Sequence, residues 1–398
     1  MKKVFIVGIG MSALTTTKEG DAAIRQSDVL FGAERMLEAY ADLGKTTVVT
    51  FNPEEIKEYI DKKLPEDGRC AVLVSGDTGF YSATKKQAAV LAAYNPVVLP
   101  GISSVSYFFA KCKLTWQDAK LVSCHGTDTD IVSPVRRHAL TFALTGGNVC
   151  EIGQALCDAG FGKLVVYVGE NLSYPDEKIS VTDAEGLTNG KYSSLTVLII
   201  YNPNPDTRVR TGIPDGEFIR TTVPMTKSEV RSSVISKLNL RPTDTCWDVG
   251  CGTGSVTVEM ALSAYEGKVY GCDKNAEAVE LTKENLRHFH IGNAIIREGS
   301  APEAFAEFAA PDAAFIGGTS GNMDRIVAAI YDKNPRCRFV ITAVTIENAY
   351  SSVEALQKIG VDPEITQLFV AQSKKAGALH LMMAQNPIYI VCGGGRTV

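Results

Sequence analysis

The sequence holds no Cys-x-x-Cys pair, only two tryptophans in 398 residues, and five scattered histidines. No apolar run approaches the length that crosses a bilayer. Each shortage removes a class of protein. Ten cysteines are present (Cys70, Cys112, Cys124, Cys150, Cys157, Cys246, Cys251, Cys272, Cys337, Cys392), but their spacing fits neither a disulfide framework nor a zinc ribbon. Several lie in apolar runs, so they are expected to be reduced, mostly buried thiols of a cytoplasmic protein. His288 and His290 have no partner motif, and no metal site is expected. The 45 acidic residues outnumber the 40 basic ones, and no basic stripe is visible, which speaks against nucleic acid as a partner. The apolar run after Met1-Lys2-Lys3 is too short for a signal segment, and no membrane association is expected. What remains is a globular composition, 45% hydrophobic and 21% charged, with length for two or three domains.

The stretch Cys246–Gly254 reads as the end of a strand, a glycine turn and the start of a helix. Gly250, Gly252 and Gly254 let the backbone turn tightly and approach a ligand closely. The spacing is Gly-x-Gly-x-Gly, with Ser255 where a dinucleotide fingerprint needs its last glycine. A second strand, Lys268–Cys272, ends in Asp273, where a carboxylate can accept hydrogen bonds from both ribose hydroxyls of a nucleoside. Glycine turn and ribose acid together point to an adenosine-type cofactor. The missing last glycine favours S-adenosylmethionine over NAD. A purely structural glycine turn is the bland alternative.

The N-terminal half repeats strands that close on small-residue loops. Val4–Ile9 opens on Gly8-Ile9-Gly10-Met11-Ser12-Ala13, a relaxed dinucleotide fingerprint for which Glu34 could serve as ribose acid. Cys70–Ser75 ends in Gly76-Asp77, and Val97–Leu99 ends in Pro100-Gly101-Ile102-Ser103-Ser104. Lys120–Ser123 ends in Cys124-His125-Gly126, and Phe142–Leu144 ends in Thr145-Gly146-Gly147. Parallel strands would gather these loops at one sheet edge, where ligands bind. Lys163–Gly169 and Ser194–Tyr201 are further strands. Tyr201–Thr207, with two prolines, breaks all periodicity, so a linker is expected over residues 204–212 between domains 1–203 and 213–398. Thr226 and Glu229 form a capping-box spacing before Val230, Val234 and Leu238. Thr226 could also face the cofactor. Ala294–Arg297, Ala313–Ile316 and Phe339–Ala343 continue the strand series, and Leu379–Val391 is expected to be a closing hairpin around Gln385-Asn386-Pro387.

Residues 4–202 resemble the class III tetrapyrrole methylases. The opening Gly-x-Gly loop, Gly76-Asp77, Pro100–Ser104 and Glu170–Glu177 carry the likeness, which is strongest to the corrin-pathway members that methylate carbon 5. The resemblance implies a cofactor trough between two α/β lobes, with Gly76, Asp77, Ser103 and Ser104 on the cofactor-lining motifs. Residues 213–396 resemble the class I methyltransferases of the same pathway, which methylate carbon 15 and decarboxylate an acetate arm. Here the matching residues are Ile213-Pro214-Asp215, Pro224–Arg231, Asp248–Gly254, Ser300–Glu303, Gly317-Gly318 and Asn386-Pro387. This resemblance implies cofactor contacts at Thr226, Gly250, Cys251, Gly252, Thr253, Gly254, Asp273 and Ala301. In order the two look like the fused precorrin carbon-5,15 methyltransferases. The fold expected is therefore α/β throughout, a two-lobed methylase followed by a doubly wound Rossmann-like domain. Each would hold its own S-adenosylmethionine, and members of such families tend to form homo-oligomers.

Methyl transfer from a sulfonium needs alignment more than a protein nucleophile, and no nucleophilic triad can be assigned. A substrate rich in carboxylates calls for nearby cations, for which Arg231, Lys227, Lys374 and Lys375 are candidates. The small residues Gly317 and Gly318 leave room for a planar substrate. Glu229 and Glu347 could move a proton. Three other functions stay open at this point: an NAD-dependent oxidoreductase using Gly8–Ala13, an RNA methyltransferase, and a cofactor-sensing protein without turnover.

Overall fold

The computed structural model describes residues 2–125, 129–208, 210–318 and 321–395. Three residues of the expected loops, Gly126, Thr319 and Ser320, lie outside them. The chain divides into two compact units, one of residues 1–129, 138–154 and 163–204, the other of residues 130–137, 155–162 and 205–398. The described residues between Asn202 and Pro214 form neither helix nor strand.

The first unit is built on two five-stranded sheets. Strands β1 (Lys3–Gly8), β2 (Val29–Gly32), β3 (Thr46–Val49), β4 (Arg69–Val74) and β5 (Val97–Leu99) form one, in the order β3-β2-β4-β1-β5. All its pairings are parallel. Alternation along β1 explains its burial on both faces. Val4 and Ile6 meet Ile56 and Ile60 on one side, while Phe5 and Val7 meet Ala23 and Ile24 on the other. The second sheet takes β6 (Lys120–Cys124), β7 (Leu140–Thr145), β8 (Val165–Glu170), β9 (Lys178–Asp183) and β10 (Thr196–Tyr201) in the order β6-β7-β10-β8-β9. Only β6 and β7 are parallel here, and the remaining pairings are antiparallel. The expected convergence of carboxyl-end loops thus holds for the first sheet and for β6, β7 and β8, which share one direction, and not for β9 and β10. Those two strands run back against β7 and β8.

The second unit carries a seven-stranded sheet, formed by β11 (Thr245–Val249), β12 (Lys268–Asp273), β13 (Ala294–Glu298), β14 (Ala313–Ile316), β15 (Arg338–Ala343), β16 (Glu364–Leu368) and β19 (Ile388–Gly394). The order is β13-β12-β11-β14-β15-β19-β16, parallel through β15 and antiparallel at β19 and β16. Successive strands run outward from β11 to β13, then restart beside β11 at β14. The order therefore reverses between β11 and β14, where doubly wound sheets open a ligand crevice. Cys246 and Trp247 point to opposite faces. The former packs with residues of helices Ser228–Leu238 and Ser255–Ser263, the latter with helix Met323–Lys333. β17 (Ala371–Ala376) and β18 (Leu379–Ala384) form a separate hairpin. The expected hairpin around Gln385–Pro387 is therefore corrected. β18 pairs back onto β17, and β19 leaves it to insert between β15 and β16.

Candidate functional site

At the β11–β14 reversal lies a cavity of about 660 Å³, walled by residues that five strand ends and one strap deliver. The glycine turn forms its floor. Gly250, Gly252 and Gly254 all have left-handed backbone, with φ of +77°, +57° and +75°. A side chain at Gly250 would stand 3.0 Å from the Gly318 carbonyl, so the β11 and β14 loops approach as closely as their backbones allow. One at Gly254 would strike Thr282 at 2.7 Å. The turn is held from behind by helix Ala276–His288. Thr282 Oγ1 donates to the Gly252 carbonyl at 3.0 Å, and the buried Asn285 Nδ2 donates to the Thr253 carbonyl at 2.9 Å.

Asp273 stands on the cavity wall at the end of β12. Its Oδ2 accepts from the Gly252 N–H at 3.0 Å and its Oδ1 from the Asn275 N–H at 3.0 Å. Each carboxylate oxygen can accept more than one hydrogen bond, so the pair retains capacity for two hydroxyl donors. Thr226, Lys227, Gly250, Cys251, Gly252, Ala301, Gly317 and Gly318 line the same cavity. Thr253 and Gly254 do not, since they form the back of the turn. Cys251 is a buried thiol pushed well above its ordinary pKa, chiefly by burial, which leaves it a spacer and not a nucleophile. Asn275, Thr342, Gln385 and Asn386 complete the wall.

Helix Ser228–Leu238 starts without the expected capping box. Lys227 is its N-cap and makes no side-chain cap bond, while the Ser228 N–H donates to Asp215 Oδ1 at 3.0 Å. Asp215 has replaced Thr226 as the cap, which leaves Thr226 on the cavity wall. Glu229 instead accepts from Gln372 Nε2 at 2.9 Å. Arg231 has no surface on the cavity. It is wholly buried, with Nε donating to Glu259 Oε1 at 2.7 Å, further donation to the carbonyls of Thr226 and Ile213, and its guanidinium over the Phe218 ring. Glu259 also accepts from the Gly212 and Ile213 N–H groups at 2.9 Å. This network ties the strap of residues 212–228 down beside the cavity. Of the cations singled out from the sequence, Lys227 reaches the cavity, 3.5 Å from Asp215, and Lys274 lies on the same wall. Lys374 and Lys375 stand on exposed β17, and Glu347 is exposed.

The first unit has its own cavity, of about 280 Å³. Gly10 and Gly76 form a bridge between the β1 and β4 loops, and a side chain at Gly101 would collide with the Gly76 carbonyl at 2.2 Å. Asp77 joins these loops, accepting from the Gly79 N–H at 2.8 Å and the Gly101 N–H at 3.1 Å. Gly76, Asp77, Ser104 and His125 line the cavity. Ser103 does not, because its hydroxyl caps helix Ser104–Lys111 by accepting from the Ser106 N–H at 3.1 Å. Thr145 lines the cavity, while the Gly146 N–H donates to Asn148 Oδ1 at 3.0 Å. The dinucleotide alternative loses its footing here. After Gly10 comes a short turn, Ala13–Thr15, and the first helix starts only at Lys18, too late to present its N-terminus to a pyrophosphate at the glycine loop. Glu34 is off the cavity wall.

Glu259, Asp215 and Asn285 escaped sequence reasoning as members of the site. One signal was available: Glu259 is the sole charged residue in the otherwise uncharged helix Ser255–Ser263, and such a residue needs a buried partner.

Comparison with known proteins matches both halves. Residues 3–188 match the tetrapyrrole (corrin/porphyrin) methylases, and residues 218–392 match the precorrin methyltransferase domain. The chain is 44% identical over 183 residues to a probable cobalt-precorrin-6B C(15)-methyltransferase (decarboxylating) of Pyrobaculum calidifontis, covering 45% of this chain and 94% of the relative. It is 39% identical over 188 residues to the protein of the same description from Saccharolobus solfataricus, covering 46% and 94%. A crystal structure of a precorrin-6y C5,15-methyltransferase from Geobacter metallireducens is similar at 31% identity, over 46% of this chain and 95% of that one, with a TM-score of 0.44.

Proposed function

The chain belongs to the precorrin methyltransferase family, and from that premise we propose that it is a bifunctional S-adenosylmethionine-dependent C-methyltransferase of cobalamin (corrin ring) biosynthesis. Residues 213–398 would methylate carbon 15 of a precorrin or cobalt-precorrin and decarboxylate an acetate arm. Residues 1–203 would methylate carbon 5, so each half holds one cofactor site. The observation that carries this reading is the meeting of the glycine turn and Asp273 on one cavity wall at the sheet reversal.

The fit to the cofactor rests on that wall. Asp273 keeps acceptor capacity for a ribose, and the turn at Gly250–Gly252 bares backbone where a side chain would intrude. When bound, the cofactor supplies a methyl group already activated on a sulfonium. The protein's part is alignment. Gly317 and Gly318 leave a cleft beside the turn, and the Asn386 and Gln385 amides face it. Lys227 offers the second unit a cation for a substrate carboxylate. Loss of carbon dioxide leaves an electron pair that the conjugated macrocycle accepts, and a proton then completes the methyl group. Orientation and partial desolvation of the carboxylate are what the site contributes.

Ten free thiols and the absence, among the described residues, of a helix long and apolar enough to cross a membrane accord with a cytoplasmic enzyme. A homo-oligomer is part of the proposal, with hairpin β17–β18 as its contact. Leu379, Leu381, Met382 and Met383 are more than half exposed there, on a two-stranded sheet with open edges. The deciding experiment is mass spectrometry of the tetrapyrrole product after incubation with S-adenosylmethionine, first with the metal-free and then with the cobalt-containing precorrin. Gain of two methyl groups with loss of one carbon dioxide is expected. Cofactor binding with neither substrate altered would refute the corrin assignment.

A further inference from the structure

The first unit's cavity contains a cation that no sequence motif flagged. Arg35 lies on its wall, and among the described residues it forms no ion pair. Its Nη1 donates to the Tyr174 hydroxyl oxygen at 2.8 Å, and its Nη2 stands 3.4 Å from Ser75 Oγ. A guanidinium has no lone pair, so the tyrosine oxygen must accept, and its own O–H is left to donate elsewhere. Most of the Arg35 N–H groups are likewise uncommitted. The other ionised group on this wall, Asp77, already accepts from two backbone N–H groups.

Tyr174 is held firmly. It sits in a loop whose neighbours Asn171 and Ser173 have left-handed backbone, φ +47° and +69°, a conformation that persists where surrounding contacts over-determine it. Glu177 supplies those contacts. It accepts from the Ser173 N–H at 2.7 Å, the Tyr107 hydroxyl at 2.6 Å and Lys111 Nζ at 2.8 Å. Ser173 Oγ lies 2.6 Å from Ser12 Oγ of the β1 loop.

We infer that Arg35 and Tyr174 form a carboxylate-recognition subsite of the first unit's cavity. One carboxylate of a polycarboxylate substrate accepts from the guanidinium and from the tyrosine hydroxyl together. The two are positioning residues that orient the macrocycle for the methylation assigned above to residues 1–203, and the inference rests on that assignment. A charged donor paired with a neutral one in this way discriminates carboxylates from amides or esters at the same arm.

The test uses the full chain with methyl-labelled S-adenosylmethionine and the precorrin substrate. Site-resolved carbon NMR follows the first unit's methyl group, and carbon dioxide release follows the second unit. Arg35→Gln is expected to raise KM for the first methylation about 10- to 100-fold, the worth of a hydrogen-bonded charge. Tyr174→Phe should raise it less, and Arg35→Lys should recover part of the loss. Carbon dioxide release should be unchanged in all three. An unchanged KM in Arg35→Gln, with the first methylation intact in the parent, overturns the subsite. A parent that releases carbon dioxide but never adds the first unit's methyl group overturns the assignment of residues 1–203, and the subsite with it. Should the glutamine variant not fold, the KM of Arg35→Lys decides, and parity with the parent overturns the subsite.

Discussion

Arg231 and Glu259, 28 residues apart, form an ion pair that solvent does not reach, Nε to Oε1 at 2.7 Å. Around it Glu259 accepts from the Gly212 and Ile213 N–H groups, and Arg231 donates to the Ile213 and Thr226 carbonyls, which ties down the strap from Gly212 to Ser228. Removing one member strands the other charge in the core, which costs about 3–5 kcal/mol. Arg231→Met and Glu259→Gln are each expected to lower the second unit's unfolding free energy by that order, measured by urea denaturation. A substrate contact at Arg231 would instead show as a raised KM with unchanged stability.

Asp273→Ala removes the acceptor for the ribose and releases the Gly252 and Asn275 N–H groups. Calorimetric titration should show S-adenosylmethionine affinity at the second site falling at least about tenfold, the worth of one charge-assisted bond. Gly254→Ala should weaken the same site by a different route. Left-handed backbone costs a non-glycine residue about 1–2 kcal/mol, and the added carbon meets Thr282. Full affinity in both variants would place the cofactor elsewhere.

Asp248 is buried beneath the glycine turn with its pKa pushed up to about 7, chiefly by burial and secondarily by Asp273, against the hydrogen bond from Thr257. A carboxyl that holds its proton more tightly when folded favours the native state at low pH. That advantage is lost as pH rises from the ordinary carboxylate range towards 7. Asp248→Asn keeps the shape without the charge. Its stability relative to the parent should therefore increase between about pH 4 and pH 8, read from denaturant midpoints. A constant difference across that range would show that Asp248 titrates normally.

Glu177 behaves in the opposite sense. Burial pushes its pKa up, but donation from Lys111, Tyr107 and the Ser173 N–H prevails and holds it near about 2. A depressed carboxylate contributes stability above its unfolded pKa and loses it as pH falls towards the folded one. Glu177→Gln should flatten the first unit's stability profile below about pH 4.5. It should also loosen the loop that presents Tyr174, visible as faster amide exchange at Ser173. An unaltered acid limb would remove Glu177 from that role.

Met382→Asp and Leu381→Asp place charge on the exposed hairpin, away from both cavities. Light scattering should show a smaller assembly than the parent, with cofactor affinity retained. An unchanged mass would move the contact to another surface.

Much of this was legible in the chain because it is written in local terms. Strands β11, β12, β14 and β15 are short apolar runs, and the turn at Gly250–Gly254 declares itself by glycine spacing, since left-handed backbone admits little else. Strands β3 and β9 were not legible. They lie at sheet edges with no buried side chain, so no apolar pattern marks them. Hairpin β17–β18 is exposed along its whole length, and its pairing was mistaken because register is weakly specified where neither face of a strand is buried.

The sequence by itself determined two α/β halves, the glycine turn, and the acid at the tip of the second strand, all features of nearest neighbours along the chain. Tertiary structure decided which charges face a ligand. It buried Arg231 against Glu259, moved the helix cap from Thr226 to Asp215, and set Arg35 beside Tyr174, 139 residues away. A charged side chain reads the same in sequence whether it meets solvent, a buried partner or a cavity. Only the packing around it, through the cost of desolvation and the partners that offset it, tells these apart.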